Sequence, residues 1–284
     1  MPNIFSHLPT LMRLHAPTGY LLSFFPASFG LILAYEQVYN LIYLPIFLFG
    51  SIITRGAGCI INDIFDRNLD NKVLRTKNRP LARGDLKVQD ALILLFILLS
   101  ICLAIALTLS KTSLYIALFT VPMITLYPLM KRITHFPQVF LGVTFNLGCL
   151  IGYAAIKDSI SYDAIILYIA CGFWTIAYDT IYAFMDIKDD KIVGIKSTAI
   201  FFEYRNYKLY LSIFYCVFYI LFAYAFRLQL SFLTMIIVIM CAMVSIYSCL
   251  SLNIINEKNC LNRFKLNNFI GFALLLFIIL EKLI

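Results

Sequence analysis

The sequence predicts an all-α integral membrane protein of about nine transmembrane helices, and three observations carry that prediction. First, 62% of the 284 residues are hydrophobic and only 13% are charged, giving a mean hydropathy of +0.87. A soluble domain of this length has no use for so much apolar surface. Second, the apolar residues gather into runs of roughly 17–25, the length a helix needs to cross a hydrocarbon core with its backbone groups paired internally. Third, short polar segments rich in Lys and Arg separate the runs. The net charge of +8 is therefore a matter of topology: the lipid bilayer is the expected partner and nucleic acid is not.

In order, the runs fall at about 18–35, 41–65, 91–109, 113–130, 139–156, 164–182, 209–226, 232–252 and 269–283, each long enough or nearly long enough to span. Residues 1–17 hold no uninterrupted apolar core, so no cleavable signal is expected. Pro122, Pro128 and Pro137 bracket the fourth-to-fifth turn and are expected to kink or end those helices. Eighteen of the 23 Lys and Arg residues lie in the N-terminal segment and the loops after spans two, four, six and eight. Lys111, Lys157, Arg227 and Lys282 lie on the alternate side, and Arg55 lies inside a span. The positive-inside rule then puts the N-terminus in the cytoplasm and the C-terminus outside. The eight cysteines form no Cys-x-x-Cys pair and read as small buried hydrophobes. Residues 1–284 read as one membrane-embedded domain, since the polar loops are too short to hold a second.

Two acidic stretches break this apolar pattern, both on the expected cytoplasmic side. In the first, a helix over 55–70 places Asn62, Asp66 and Asp70 four residues apart on one face, with Asp63 at its border. Carboxylates so close repel unless a cation sits among them. Oxygen-only ligands select a hard cation, Mg2+ or Mn2+. Arg67, Lys72, Arg75, Lys77, Arg79 and Arg83 follow at once, and a hard cation beside a basic loop suits a phosphate or pyrophosphate. A helix end leaving the membrane through a solvated, mixed-charge loop would also look like this. In the second stretch, Asp179, Tyr182, Asp186 and Asp190 follow at intervals of three and four on one helix face, interleaved with Lys188, Lys191 and Lys196. Carboxylates at a membrane boundary are costly unless paired or metal-bound. Two such faces meeting across a cavity would hold two cations and bridge a diphosphate.

The segments RGAGCIINDIFDRNLD, RTKNRPLARG, YPLMKRITHFPQ and DTIYAFMDIKDDKIVGIKSTA resemble those of the UbiA-type membrane prenyltransferases, most closely the 4-hydroxybenzoate polyprenyltransferase branch. Together they cover about a quarter of the chain. The resemblance implies a helical bundle around a central cavity open toward lipid. It implies Mg2+-dependent transfer of a polyprenyl chain from its diphosphate to the ring carbon ortho to the hydroxyl of 4-hydroxybenzoate, in ubiquinone biosynthesis, at a bacterial inner membrane with the site facing the cytoplasm. By this resemblance Asn62, Asp66 and Asp70 serve one metal–diphosphate site, with Asp63 nearby, and Asp186 and Asp190 serve the other. Arg67 neutralises diphosphate charge and Arg132 binds the acceptor's carboxylate. Asp179, Tyr182, Lys188 and Lys196 complete the expected substrate-binding set.

One segment departs from the family pattern: Arg13-Leu14-His15-Ala16-Pro17 stands where Arg-Leu-Asp-Lys-Pro is usual, which leaves open what that segment does. Other readings of the acidic pair are a related prenyltransferase acting on haem or a naphthoquinone precursor, and a cation-coupled transporter with acids in its ion path.

Overall fold

The computed structural model describes residues 4–71, 76–227 and 230–283. Lys72 and Arg75 of the basic loop lie outside the described residues. Within them the long helices are α1 (Thr18–Leu33), α2 (Tyr43–Asp70), α3 (Val88–Leu107), α4 (Lys111–Ile133), α5 (Pro137–Phe145), α6 (Leu147–Lys157), α7 (Tyr162–Ala183), α8 (Tyr207–Ala225), α9 (Phe232–Leu250) and α10 (Glu257–Leu283). Each packs on its neighbour in sequence and α10 returns to α1, which closes a ring crossed by α1–α6, α1–α7 and α7–α10 contacts. Among the described residues eight helical stretches are long and apolar enough to cross a membrane. The sixteen-residue α1 is apolar but shorter, so the expected nine is reached only by counting it.

Three features differ in detail from the sequence expectation. The fifth span is two helices, α5 and α6, meeting at Asn146 (φ −90°, ψ 0°). Helix α4 runs on through Pro122 and Pro128, while Pro137 occupies the first turn of α5, where its missing N–H costs nothing. The second acidic stretch is not one continuous helix. Helix α7 ends at Ala183, a 3-10 turn covers Phe184–Asp186, and a new helix runs Ile187–Val193.

The buried apolar residues form two packings. The larger joins α1 and α7–α10 around Trp174, which stacks on Phe218 at 5.1 Å between ring centroids. The smaller joins Leu11 and Met12 to α2 and α3. Outward-facing side chains such as Phe96, Tyr115 and Phe232 are largely exposed, as expected where hydrocarbon rather than water is the solvent. Close backbone approach fixes the α1–α6 pair: a Cβ on Gly152 would sit 2.0 Å from the Ala27 carbonyl oxygen. Gly152→Leu is therefore expected to cost about 1–3 kcal/mol through overpacking, read as a lower thermal midpoint in detergent. Gly172→Ala, whose Cβ would come no nearer than 4.0 Å to the Gly142 oxygen, should leave the midpoint in place. Equal midpoints for the two variants would refute this packing.

Candidate active site

Helix α2 carries both halves of the site. Its middle turns line an apolar cavity of about 180 Å3, shared with α1, α3, α4, α5 and α6. Its last turns carry the acidic face. Asp63, Asp66 and Asp70 are all buried, at 2%, 6% and 7% exposure, so each charge needs a partner. Arginines from three separate segments supply them. Arg79 Nη1 donates to Asp70 Oδ2 at 2.7 Å and to Asp63 Oδ1 at 3.1 Å. Arg13 Nη2 donates to the same Asp63 oxygen at 2.7 Å. Arg132 Nη2 donates to the Phe65 carbonyl at 3.1 Å and lies 3.7 Å from Asp66. Arg83 pairs with Asp85 at the exposed rim, where an ion pair contributes little. Lys77 and Arg67 are exposed.

The second acidic stretch faces the first through shared cations and one tyrosine. Lys131 interacts electrostatically with both Asp66 and Asp179. Arg13 acts on Asp63 and Tyr182 together. Tyr127, beneath the Lys131 ammonium at 5.8 Å, interacts electrostatically with Asp179, Arg55, Asp66 and Arg13. Asp186 lies in the field of Asp179. Tyr182 packs on the Phe264 ring at 4.8 Å. Asp186 and Asp190 are half-buried and Lys188 is exposed. Lys196 is tied to the end of α4: its N–H donates to the Lys131 carbonyl and its Nζ to that of Ile133.

Arg55 joins the two halves. It lines the cavity, its guanidinium lies 5.6 Å over the Phe145 ring, and it acts on Asp179. Among the described residues no carboxylate lies within ion-pair distance of it. Gly19 leaves the space it occupies, since a Cβ there would stand 2.8 Å from Arg55 Nε.

A hard cation suits the donors present. Asn62 Oδ1 is buried with no hydrogen-bond partner, an acceptor whose neglect costs about 1–3 kcal/mol, and Asp66 is one turn away on the same face. Among the described residues no three carboxylate, His or Cys side chains group as a ready cage, because Asp63 and Asp70 are turned to Arg13 and Arg79. Mg2+ commonly takes only one or two carboxylates and completes its shell with substrate phosphate and water, so the set fits.

Helix α2 thus joins an apolar cavity to a cluster of buried acids paired with arginines, and the profile of the UbiA prenyltransferase family matches residues 23–272. The chain belongs to that family. A 4-hydroxybenzoate octaprenyltransferase of Haemophilus ducreyi is 35% identical over 274 residues, covering 95% of this chain and 97% of that protein. A mitochondrial 4-hydroxybenzoate polyprenyltransferase of Aedes aegypti is 46% identical over 205 residues, 71% of this chain, and the match spans 46% of that protein's length. Among solved structures, a UbiA homolog from Aeropyrum pernix K1 superposes with a TM-score of 0.69 at 21% identity, covering 93% of this chain and 96% of that one. A UbiA homolog from Archaeoglobus fulgidus bound to GPP and Mg2+ gives 0.69 at 19% identity, covering 94% and 99%. At such identities the structures speak to the fold.

In this UbiA-family site, sequence reasoning did not assign roles to Arg13, Arg55 or Lys131. Arg13 is fifty residues from Asp63, and local spacing holds no trace of that pairing. Arg55 did carry a signal: a charge inside an apolar span is costly enough to be a functional candidate.

Proposed function

We propose that this protein transfers a polyprenyl chain from polyprenyl diphosphate to the ring carbon ortho to the hydroxyl of 4-hydroxybenzoate, releasing diphosphate, in ubiquinone biosynthesis. One observation carries the reading: a single helix, α2, presents an apolar cavity and then an acid–arginine cluster, with Arg55 at the junction. An amphipathic donor with an anionic head and a long apolar tail matches that order. An anionic aromatic acceptor matches the Arg55 guanidinium between them.

In this scheme the allylic carbon–oxygen bond breaks with both electrons going to diphosphate. A ring π pair then forms the new carbon–carbon bond, and the displaced ring proton leaves to a carboxylate or to the released diphosphate. Mg2+, held by Asn62, Asp66 and Asp70 on one side and Asp186 and Asp190 on the other, would neutralise charge on the leaving group. Arg79, Arg13 and Lys131 would share that task as they exchange carboxylates for phosphate oxygens. Arg67, Lys188 and Lys196 would serve as further phosphate contacts. The apolar wall excludes water from the allyl cation, and aromatic faces such as Phe145 and Tyr127 steady it. The acids stand at the ends of α2 and α7 rather than at mid-span, which favours an enzyme over a cation-coupled transporter. The positive-inside pattern supports a site on the cytoplasmic side of an inner membrane.

The test is one assay with purified protein, Mg2+ and labelled polyprenyl diphosphate against 4-hydroxybenzoate, a hydroxynaphthoate and haem. Label should enter 4-hydroxybenzoate and disappear with a chelator. Faster labelling of haem or the naphthoate would reassign the acceptor.

A further inference from the structure

We infer that Gln138 is a positioning residue for prenyl transfer, fixing the Asp179 carboxylate in the field of Lys131 and Arg55. The inference rests on the prenyl-transfer reading above and gives a task to the Phe136-Pro137-Gln138 part of the fourth-to-fifth turn, which that reading leaves unused.

A buried amide needs partners for both of its ends. Gln138 is 5% exposed and stands in the first turn of α5, just after Pro137. Its Oε1 accepts the Thr198 backbone N–H at 3.1 Å, across sixty residues of sequence. Thr198 opens the short helix Thr198–Phe202, so its N–H has no intrahelical acceptor and requires one from elsewhere. A backbone N–H can only donate, which fixes the end of the amide that faces it. The Nε2 end is left for the Asp179 carboxylate, to which the Gln138 side chain is hydrogen-bonded. One amide thereby ties α5 to α7 and to the segment beyond the second acidic stretch.

The surroundings hold this bridge in place. Thr180, next to Asp179, donates from Oγ1 to the Ile176 carbonyl at 2.6 Å and accepts from Thr198 Oγ1 at 2.7 Å. The Lys196 N–H donates to the Lys131 carbonyl at 3.0 Å. Residues 196–198 are thus stitched to α4 beside Lys131 and to α7 beside Asp179, and Gln138 spans the gap between them. Asp179 interacts with Lys131 and with Arg55, the cations set against diphosphate and acceptor. Without the Nε2 donor its carboxylate is free to turn toward one of them alone. Gln138 does not line the cavity, so its effect on the reaction passes through Asp179.

The experiment measures kcat and both KM values for 4-hydroxybenzoate prenylation, with the thermal midpoint in detergent as the check on folding. Gln138→Met, similar in length but without donor or acceptor, should lower kcat roughly 10- to 100-fold, the scale on which a small misplacement acts. Both KM values should stay within about threefold of the parent's, as for an interaction expressed in the transition state. Thr180→Ala removes a bond from the same junction and spares the Asp179 carboxylate. It should lower the midpoint similarly yet keep kcat within about threefold. In an Asp179→Asn background, Gln138→Met should add less than about threefold, because the partner it acts through is already changed. Gln138→Asn keeps an amide one methylene too short to bridge both partners and should lose kcat as well, which decides the matter if the Met variant does not accumulate. Parent-like kcat in the Gln138 variants would overturn the inference. So would a loss in Thr180→Ala equal to that in Gln138→Met, or a full further loss in the Asp179→Asn background. If label enters a different acceptor, the acceptor reading falls, and the same kcat ratios measured with that acceptor still decide Gln138.

Discussion

Asp66→Ala and Asp186→Ala are each expected to lower prenyl transfer at least ~100-fold, the loss that follows removal of a major electrostatic stabiliser of a leaving group. Asp66 is 6% exposed, one turn from the unpartnered Asn62 oxygen and 3.7 Å from Arg132. It is thus placed to receive a hard cation on one side and to keep an arginine on the other. Asp186 opens the helix that follows α7 and lies in the field of Asp179. Neither change removes apolar packing, so insertion and thermal midpoint should stay near the parent's. Mg2+ titration of turnover separates binding from chemistry: in Asp66→Ala the Mg2+ requirement should rise along with the loss of rate. Near-normal, Mg2+-dependent transfer by Asp66→Ala would discard the two-sided site.

Arg55→Ala is expected to weaken 4-hydroxybenzoate use roughly 10- to 100-fold while donor affinity changes little, since hydrogen bonds to charged groups contribute about 1.5–3 kcal/mol. Two arginines compete for the acceptor's carboxylate. Sequence resemblance points to Arg132, but the Arg132 guanidinium already serves the Phe65 carbonyl and Asp66. Arg55 lines the cavity and has no carboxylate partner among the described residues. Arg55→Lys should rescue poorly, because the planar fork that grips both carboxylate oxygens is lost. Arg132→Ala, on the same argument, should act on the donor side through Asp66, raising the diphosphate or Mg2+ requirement. The opposite pattern, with the acceptor KM raised by Arg132→Ala and untouched by Arg55→Ala, would return the carboxylate to Arg132.

The sequence by itself determined the class of the protein and the chemistry of its donor set. Apolar runs of spanning length dictate helices, because in lipid every backbone group must be paired within its own segment. The four-residue spacing of Asn62, Asp66 and Asp70 dictates one face once α2 is helical, as it is over Tyr43–Asp70. Those relations are local and survive without a tertiary fold.

What the tertiary structure decided is which charges neutralise which. Arg13, Arg79 and Arg132 converge on three buried carboxylates from three separate segments, and Arg55 is left beside the cavity because Gly19 makes room for it. Helical period is equally blind to the 3-10 turn at Phe184–Asp186 and to the break at Asn146. Those irregularities are tolerated where surrounding helices can satisfy the released backbone groups.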